Sequence, residues 1–325
     1  MDINRKNMDF LFKSFSMNFA SGIETVPDTW QKFCGTIQSG AAANVYPFLE
    51  QFGGMREWIG DRQLKNVSSR KIEVVNRDFE DTVSIPRNDI EDDQYGIYST
   101  LIAQMGYNAG KLWQDLAVEA LVSNPKWIDD ADFFSTTRTY GEFTIANKTT
   151  DGLSAENYAA VRKSMMEFRG HNGRNLGVIP NLLIVGPKNE ATAFGILKDR
   201  LQLKELTAGV GATDNPWNGS AELLVLPELS GDYEDLWFLA ATNGILKPLF
   251  VQQRKQPNLV SLDSETDENV FCRKEYIYGT DARGEAFLAF PHLICKGRRI
   301  RQCDFTGEGE SFSFLRISAH FKKGN

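Results

Sequence analysis

The chain has 325 residues, roughly two domains' worth, and 42% hydrophobic, 24% charged and 11% aromatic residues. That is globular composition and excludes a disordered or collagen-like chain. Its formal net charge of −7, from 36 basic and 43 acidic residues, asks for no basic face gripping nucleic-acid phosphates.

No apolar run approaches the roughly 20 residues that span a bilayer, and the N-terminal stretch MDINRKNMDFLFKSF has no signal-peptide core. Four cysteines, none in CxxC spacing, make no disulfide framework and fit synthesis in a reducing cytosol. Charge is unevenly spread. Residues 51–72 carry net +3, residues 78–93 net −6 and residues 291–325 net +4. Opposed blocks suit self-complementary surfaces; they are also what plain solvated faces look like.

Residues 1–40 are weakly periodic, with a helical turn or two expected near residues 9–20. Their aromatics have no partner in the local sequence, so the arm is expected to dock on something else. Residues 44–85 read as a long two-stranded excursion with a basic tip. Gly53 and Gly54 permit a reversal there, and Ile72, Val74, Phe79, Val83 and Ile85 are spaced as in strands. A lone hairpin is marginal in water, so this one should lie on another surface.

Pro86 ends that strand. Ile97, Leu101, Ile102, Met105, Ala109, Leu112, Trp113, Leu116, Ala120 and Leu121 then predict a helix over residues 96–123. It is about 40 Å long and stops at Asn124-Pro125. Residues 126–150 read as irregular or short strands, and Ser154 caps a helix over residues 155–169. After a break at residues 170–173 come a buried strand (NLLIVGP), a helix (KNEATAFGILKDRL), a flexible loop over residues 206–220, and two more strands. From Lys247 the chain returns to strand-like segments, with a hairpin expected around residues 279–284.

Little catalytic chemistry is legible. His171, His292 and His320 have no metal-binding spacing, and Cys295 with Cys303 lacks two further ligands for zinc. The segment NLLIVGPKNEATA has the strand–turn–helix order of an anion site. However, Pro187 removes a donor and Glu190 sits in the first turn, so an ordinary connection is the better reading. Asp89, Glu91, Asp92 and Asp93 lack the spacing of a calcium loop and sit where a helix N-terminus favours negative charge. No nucleophile, base and oxyanion donor come together, so catalytic, cofactor and metal sites are all read as none.

The order of parts is the informative feature: apolar arm, excursion, acidic stretch, spine helix, inserted α/β module, returning strands. It resembles the α+β fold of HK97-like tailed-phage capsid proteins. Five stretches sharpen the resemblance to the Mu-like prophage major head subunit family. They are FASGIETVPDTWQKFC (19–34), YPFLEQFGGMREWIGDRQL (46–64), FEDTVSIPRNDIEDDQYGIY (79–98), KPLFVQQRKQP (247–257) and EYIYGTDARGEAF (275–287).

The resemblance implies an N-terminal arm (1–43), an extended loop (44–85) and a peripheral domain (86–172) holding the spine helix. It further implies an axial domain (173–244), peripheral return strands (245–297) and a C-terminal tail (298–325). It implies a structural, non-enzymatic subunit of the virion capsid. Such subunits assemble as hexamers and pentamers in the bacterial host cytoplasm around double-stranded DNA, without sequence-specific binding. The partners implied are a separate scaffold and maturation protease, a portal and a decoration protein; no membrane is involved. Two rivals are an encapsulin-like nanocompartment shell and a soluble α/β enzyme using residues 173–244.

Within this reading, Phe12, Phe15 and Phe19 of the arm are expected to pack on a neighbouring subunit. Trp58, flanked by Arg56, Arg62 and Lys65, is expected to rest on the next subunit of the capsomer. Asp89, Glu91, Asp92 and Asp93 would face that basic tip. The tail, with the alternating stretch SFSFLRISAHF, is expected to clip onto an adjacent subunit's sheet or acidic surface.

Overall fold

The arm is a full helix, longer than its interrupted periodicity suggests. In the computed structural model, residues 4–47, 71–92, 95–140, 142–170, 173–206 and 209–298 are described. Helix α1 spans Arg5–Glu24, opened by the Asn4 side chain, which accepts from the Asn7 amide at 2.9 Å. Met8, Leu11, Phe15, Phe19 and Gly22 recur at helical spacing and are all buried. Polar residues between them obscured that stripe, because its partner lies far along the chain.

That partner is the spine helix. After α2 (Arg87–Glu91) comes α3, Tyr95–Val122, 28 residues that end just before Asn124-Pro125 as expected. Its N-terminal half buries Ile102 and Met105 against Met8, Leu11, Phe15 and Phe19 of α1. Its C-terminal half buries Trp113, Leu116, Ala117 and Leu121 in a second core with Trp30 and Phe33. Ile97 and Leu101, counted in the apolar stripe, are 70% and 46% exposed, so the first turns present apolar surface.

Two helices approach this closely only where side chains are missing. A Cβ on Gly106 would lie 2.1 Å from the Phe19 carbonyl oxygen, and one on Gly22 would lie 2.0 Å from that of Ala103. The glycines therefore set the distance between α1 and α3.

The spine packs on a four-stranded sheet. Strand β1 (Cys34–Gln38) runs parallel to β13 (Leu249–Leu262). Antiparallel to β13 is β14 (Glu275–Leu288), which pairs in turn with β4 (Arg77–Pro86). Strand β4 thus belongs to this sheet. The excursion proper springs from β2 (Ala43–Pro47) and β3 (Lys71–Val75), which pair antiparallel from Ala43↔Val75 to Pro47↔Lys71.

The expected hairpin at residues 279–284 is not formed. Strand β14 runs unbroken with every second residue buried, Tyr276, Tyr278, Thr280 and Ala282 among them. Gly284 serves close packing rather than a turn: a Cβ there would lie 2.4 Å from the Gln252 carbonyl oxygen. The preceding NVFCR, read as strand, is helix α6 (Glu268–Arg273).

A second sheet has the order β11-β8-β12-β15-β7. Its members are β7 (Lys148–Thr149), β8 (Leu182–Val185), β11 (Glu222–Val225), β12 (Leu236–Ala240) and β15 (Ile294–Arg298). Strands β8 and β12 are buried on both faces. Leu182, Ile184, Phe238 and Ala240 join the core under the spine. Leu183, Val185, Trp237 and Leu239 face α4 (Ala155–Met166) and α5 (Glu190–Leu197). Double burial explains why their sequences are continuous apolar runs.

This sheet draws on chain outside residues 173–244, since β15 and β7 flank the strands of that insert. The expected loop over residues 206–220 is in part a hairpin. Strands β9 (Leu201–Leu206) and β10 (Gly209–Asp214) pair antiparallel there. The two-residue strands β5 (Thr139–Tyr140) and β6 (Phe143–Thr144) complete the set.

Candidate assembly surfaces

The root of the excursion is built from buried polar groups. Asn76, between β3 and β4, is buried. Its amide nitrogen donates to Ser39 Oγ at 3.1 Å and to the Ala41 carbonyl at 2.9 Å, and its Oδ1 accepts from Gln252 Nε2 at 2.6 Å. Tyr46 of β2 donates its hydroxyl to Gln252 Oε1 at 2.5 Å and stacks on Phe287 at 5.1 Å. Buried groups satisfied in this way specify one geometry, because each lost partner is costly.

A second clamp is ionic. Arg77 of β4 reaches Glu119 of α3 at 2.8 Å and donates to Glu285 of β14 at 3.0 Å. Burial opposes its charge, yet the bonds to both carboxylates outweigh that and hold the guanidinium above its ordinary pKa. One side chain thereby ties three elements at the foot of the excursion. Neither clamp was legible in the sequence, because the partners are far apart in the chain. A buried Asn beside a strand is at most a weak signal.

The sequence-predicted contact residues fall in different places. Phe15 and Phe19 are buried within the chain and Phe12 is half-buried beside them. Phe15 meets Tyr278 edge-on at 5.1 Å. The surface on which the arm docks is thus the chain's own α3 and sheet, which removes the reason for assigning these aromatics to a neighbour. Phe10 and Met17 of α1 are 74% exposed.

In the acidic stretch, Asp89 accepts a hydrogen bond from the Tyr98 hydroxyl, which ties α2 to the spine. Glu91 pairs with Arg87 at 3.0 Å, and Asp92 is an exposed cap at the end of α2. Upstream in the acidic block, Asp78 pairs with Arg283 at 3.1 Å. Arg56, Trp58, Arg62, Lys65 and Asp93 lie outside the described residues, as do residues 299–325 of the tail.

The inserted module is held by bonds within itself and to the chain before it. Lys188 bridges Glu234 and Asp235, each at 2.7 Å. Trp237 Nε1 donates to the Asp151 carbonyl at 3.0 Å. The loop before the module is pinned by Arg138, whose guanidinium bonds Asp129 at 2.5 Å and lies over Trp127 at 4.6 Å. Among the described residues, no group of three or more His, Cys, Asp or Glu side chains converges as a metal site. Nor is any helix among them long and apolar enough to cross a membrane.

Comparison with known proteins agrees with this architecture. The Mu-like prophage major head subunit gpT family matches residues 8–149, 136–229 and 227–304. The FluMu major head subunit of a Mu-like prophage in Haemophilus influenzae is 27% identical over 293 residues, covering 89% of this chain and 72% of that protein. The major capsid protein of Escherichia phage Mu is 22% identical over 290 residues, covering 89% and 73%. A chain of the bacteriophage JBD30 procapsid superposes with a TM-score of 0.58 at 25% identity, over 93% of this chain and 79% of its own.

The arm helix on the spine, the excursion rooted beside a long-stranded sheet and the inserted second sheet are thus the HK97-like capsid fold. With the family matching nearly end to end, the chain belongs to the Mu-like prophage major head subunit gpT family.

Proposed function

We propose that this chain is the major capsid subunit of a tailed, Mu-like phage or prophage, and that its copies group as pentamers and hexamers into an icosahedral shell around double-stranded DNA. The observation that carries the reading is the family match across residues 8–304, on a fold shared with a phage procapsid. The net charge of −7 suits a container that must release its DNA, because a strongly basic inner wall would hold the phosphates.

The role is structural rather than catalytic. Residues 173–244 sit at the capsomer centre, and the excursion lies over the next subunit with Trp58 as anchor. A separate scaffold, a maturation protease and a portal serve assembly in the host cytoplasm, and the virion capsid is the final location. A decoration protein is a further partner; the JBD30 capsid carries minor capsid protein trimers.

Electron microscopy of the purified full chain, alone and with its scaffold, tests this. Closed icosahedral shells that fill with DNA in infected or induced cells are expected. Shells of the same fold that carry an enzyme cargo and never DNA would mark a nanocompartment. A stable monomer with saturable small-molecule binding at residues 173–244 would mark an enzyme.

A further inference from the structure

A groove of about 600 Å³ runs along α3 where the spine faces residues 228–233. Its floor is apolar, with Phe79 of β4 and Leu112, Leu116 and Val122 of α3. Its rim is acidic: Asp115, Glu119, Glu228 and Asp232 line it with Lys111 as the one basic residue.

The rim is short of positive charge. Glu119 is bound to Arg77 at 2.8 Å. Lys111 is shared, at 3.5 Å from Asp115 and 3.9 Å from Glu228. Glu228 Oε2 is buried with no hydrogen-bond partner among the described residues. A buried carboxylate oxygen left so costs stability until a donor reaches it. Desolvation by the apolar wall also raises the Asp115 pKa, more than Lys111 lowers it. The matching occupant is an apolar segment carrying cations.

We infer that this groove is the seat of residues 311–323 of the same chain. The stretch SFSFLRISAHFKK offers Phe312, Phe314, Leu315, Ile317 and Phe321 to the floor. It carries Arg316, Lys322 and Lys323 with no acidic residue.

The exit of the chain points the same way. Strand β15 ends at Arg298, paired with Leu236, three positions from Tyr233, which lines the groove. The intervening residues 299–310 reach up to about 40 Å when extended, so the tail needs no neighbouring copy to arrive there. Residues 51–65 of a neighbour's excursion are a poorer match. Their three basic residues are offset by Glu57 and Asp61, leaving net +1 against +3 for the tail stretch. The contact lies within one subunit, so it goes beyond the shell reading and does not depend on it.

Carbodiimide coupling of the full chain, which joins a lysine to a carboxylate in contact with it, tests the seat. A mixture of ¹⁴N- and ¹⁵N-labelled subunits separates contacts within a chain from those between chains. Lys322 or Lys323 joined to Asp115, Glu228 or Asp232, with both ends of one isotope, is the expected product. Three results overturn the inference: mixed-isotope products, Lys65 joined to those carboxylates, or tail lysines joined only elsewhere.

Tryptic cleavage after Arg316 is the second readout. It is expected to speed up about tenfold in an Asp115→Asn, Glu228→Gln variant. It is expected to speed up likewise in a Phe312→Ser, Phe321→Ser variant, which leaves the groove itself intact. Cleavage at the parental rate in both variants also overturns it.

Discussion

His292 is buried in the turn entering β15, and desolvation pushes its imidazole pKa down to about 4. The unfolded chain takes up a proton near pH 6.5 and the folded chain does not. Stability is therefore full above pH 6.5 and is lost as pH falls from there toward 4. The loss from this group reaches about 3 kcal/mol. Urea unfolding at pH 7 and pH 4.5 is expected to show the parent losing more than a His292→Phe chain.

Lys296 has the opposite placement in pH. Burial, then Lys148 and Arg298, push its ammonium down to about 8, while it donates to the Val122 carbonyl at the end of α3 at 2.8 Å. Between pH 8 and about 10.4, the ordinary lysine value, the unfolded chain holds more protons. Parental stability is therefore expected to rise there relative to Lys296→Met, as read by the same unfolding curves. Asn76→Ala leaves Gln252 and Ser39 short of a partner at the root of the excursion. It is expected to cost about 1–3 kcal/mol in denaturant unfolding.

At the scale of elements, α1 packs on α3 where glycines let the two backbones meet. Gly106→Val would drive a side chain into the Phe19 backbone. Such overpacking costs about 1–3 kcal/mol. Limited proteolysis is expected to release residues 1–24 from that variant while the two sheets stay intact.

The excursion is a different case: on the proposed reading, Phe48, Phe52, Trp58 and Ile59 find their cover on the next subunit, because a lone hairpin is marginal in water. Trp58→Ala is expected to impair shell assembly at any salt concentration, while reversing Arg56 and Arg62 impairs it chiefly at low salt, because exposed pairs are screened. Sedimentation of assembly mixtures separates the two effects. Assembly at the parental rate by Trp58→Ala would show that this aromatic is no anchor.

At the scale of the whole molecule, the spine joins two cores that face different ways. One holds α1 against the tip of the long-stranded sheet, and the other lies between the spine and the second sheet. Strands β13, β14 and β4 are brought to the spine by long-range strand pairing, whereas α1 and Trp30 pack on it directly. Glycines and ion pairs set the distances, and apolar stripes supply the cohesion. A subunit of this kind has firm joints within itself. It exposes apolar positions such as Phe10, Met17 and Ile97 on the helices and Phe271 on α6.

The sequence alone determined what local periodicity encodes. The spine between Pro86 and Asn124-Pro125, the capped helix after Ser154, the doubly buried β8 and β12, and the root strands of the excursion all follow from spacing and breakers within a few residues. The order of these parts carried the family, because motifs such as EWIGDRQ and SIPRNDIEDD are local too.

Only the tertiary structure decided what those parts touch. It alone shows that the arm's aromatics face the spine, that β14 runs unbroken with Gly284 lying against β13, and that β7 and β15 complete a sheet begun elsewhere. It also brings Asn76, Arg77, Glu119, Gln252 and Glu285 together at one root. Burial and pairing are properties of contacts between distant segments, and a periodic pattern names the face that is covered without naming what covers it.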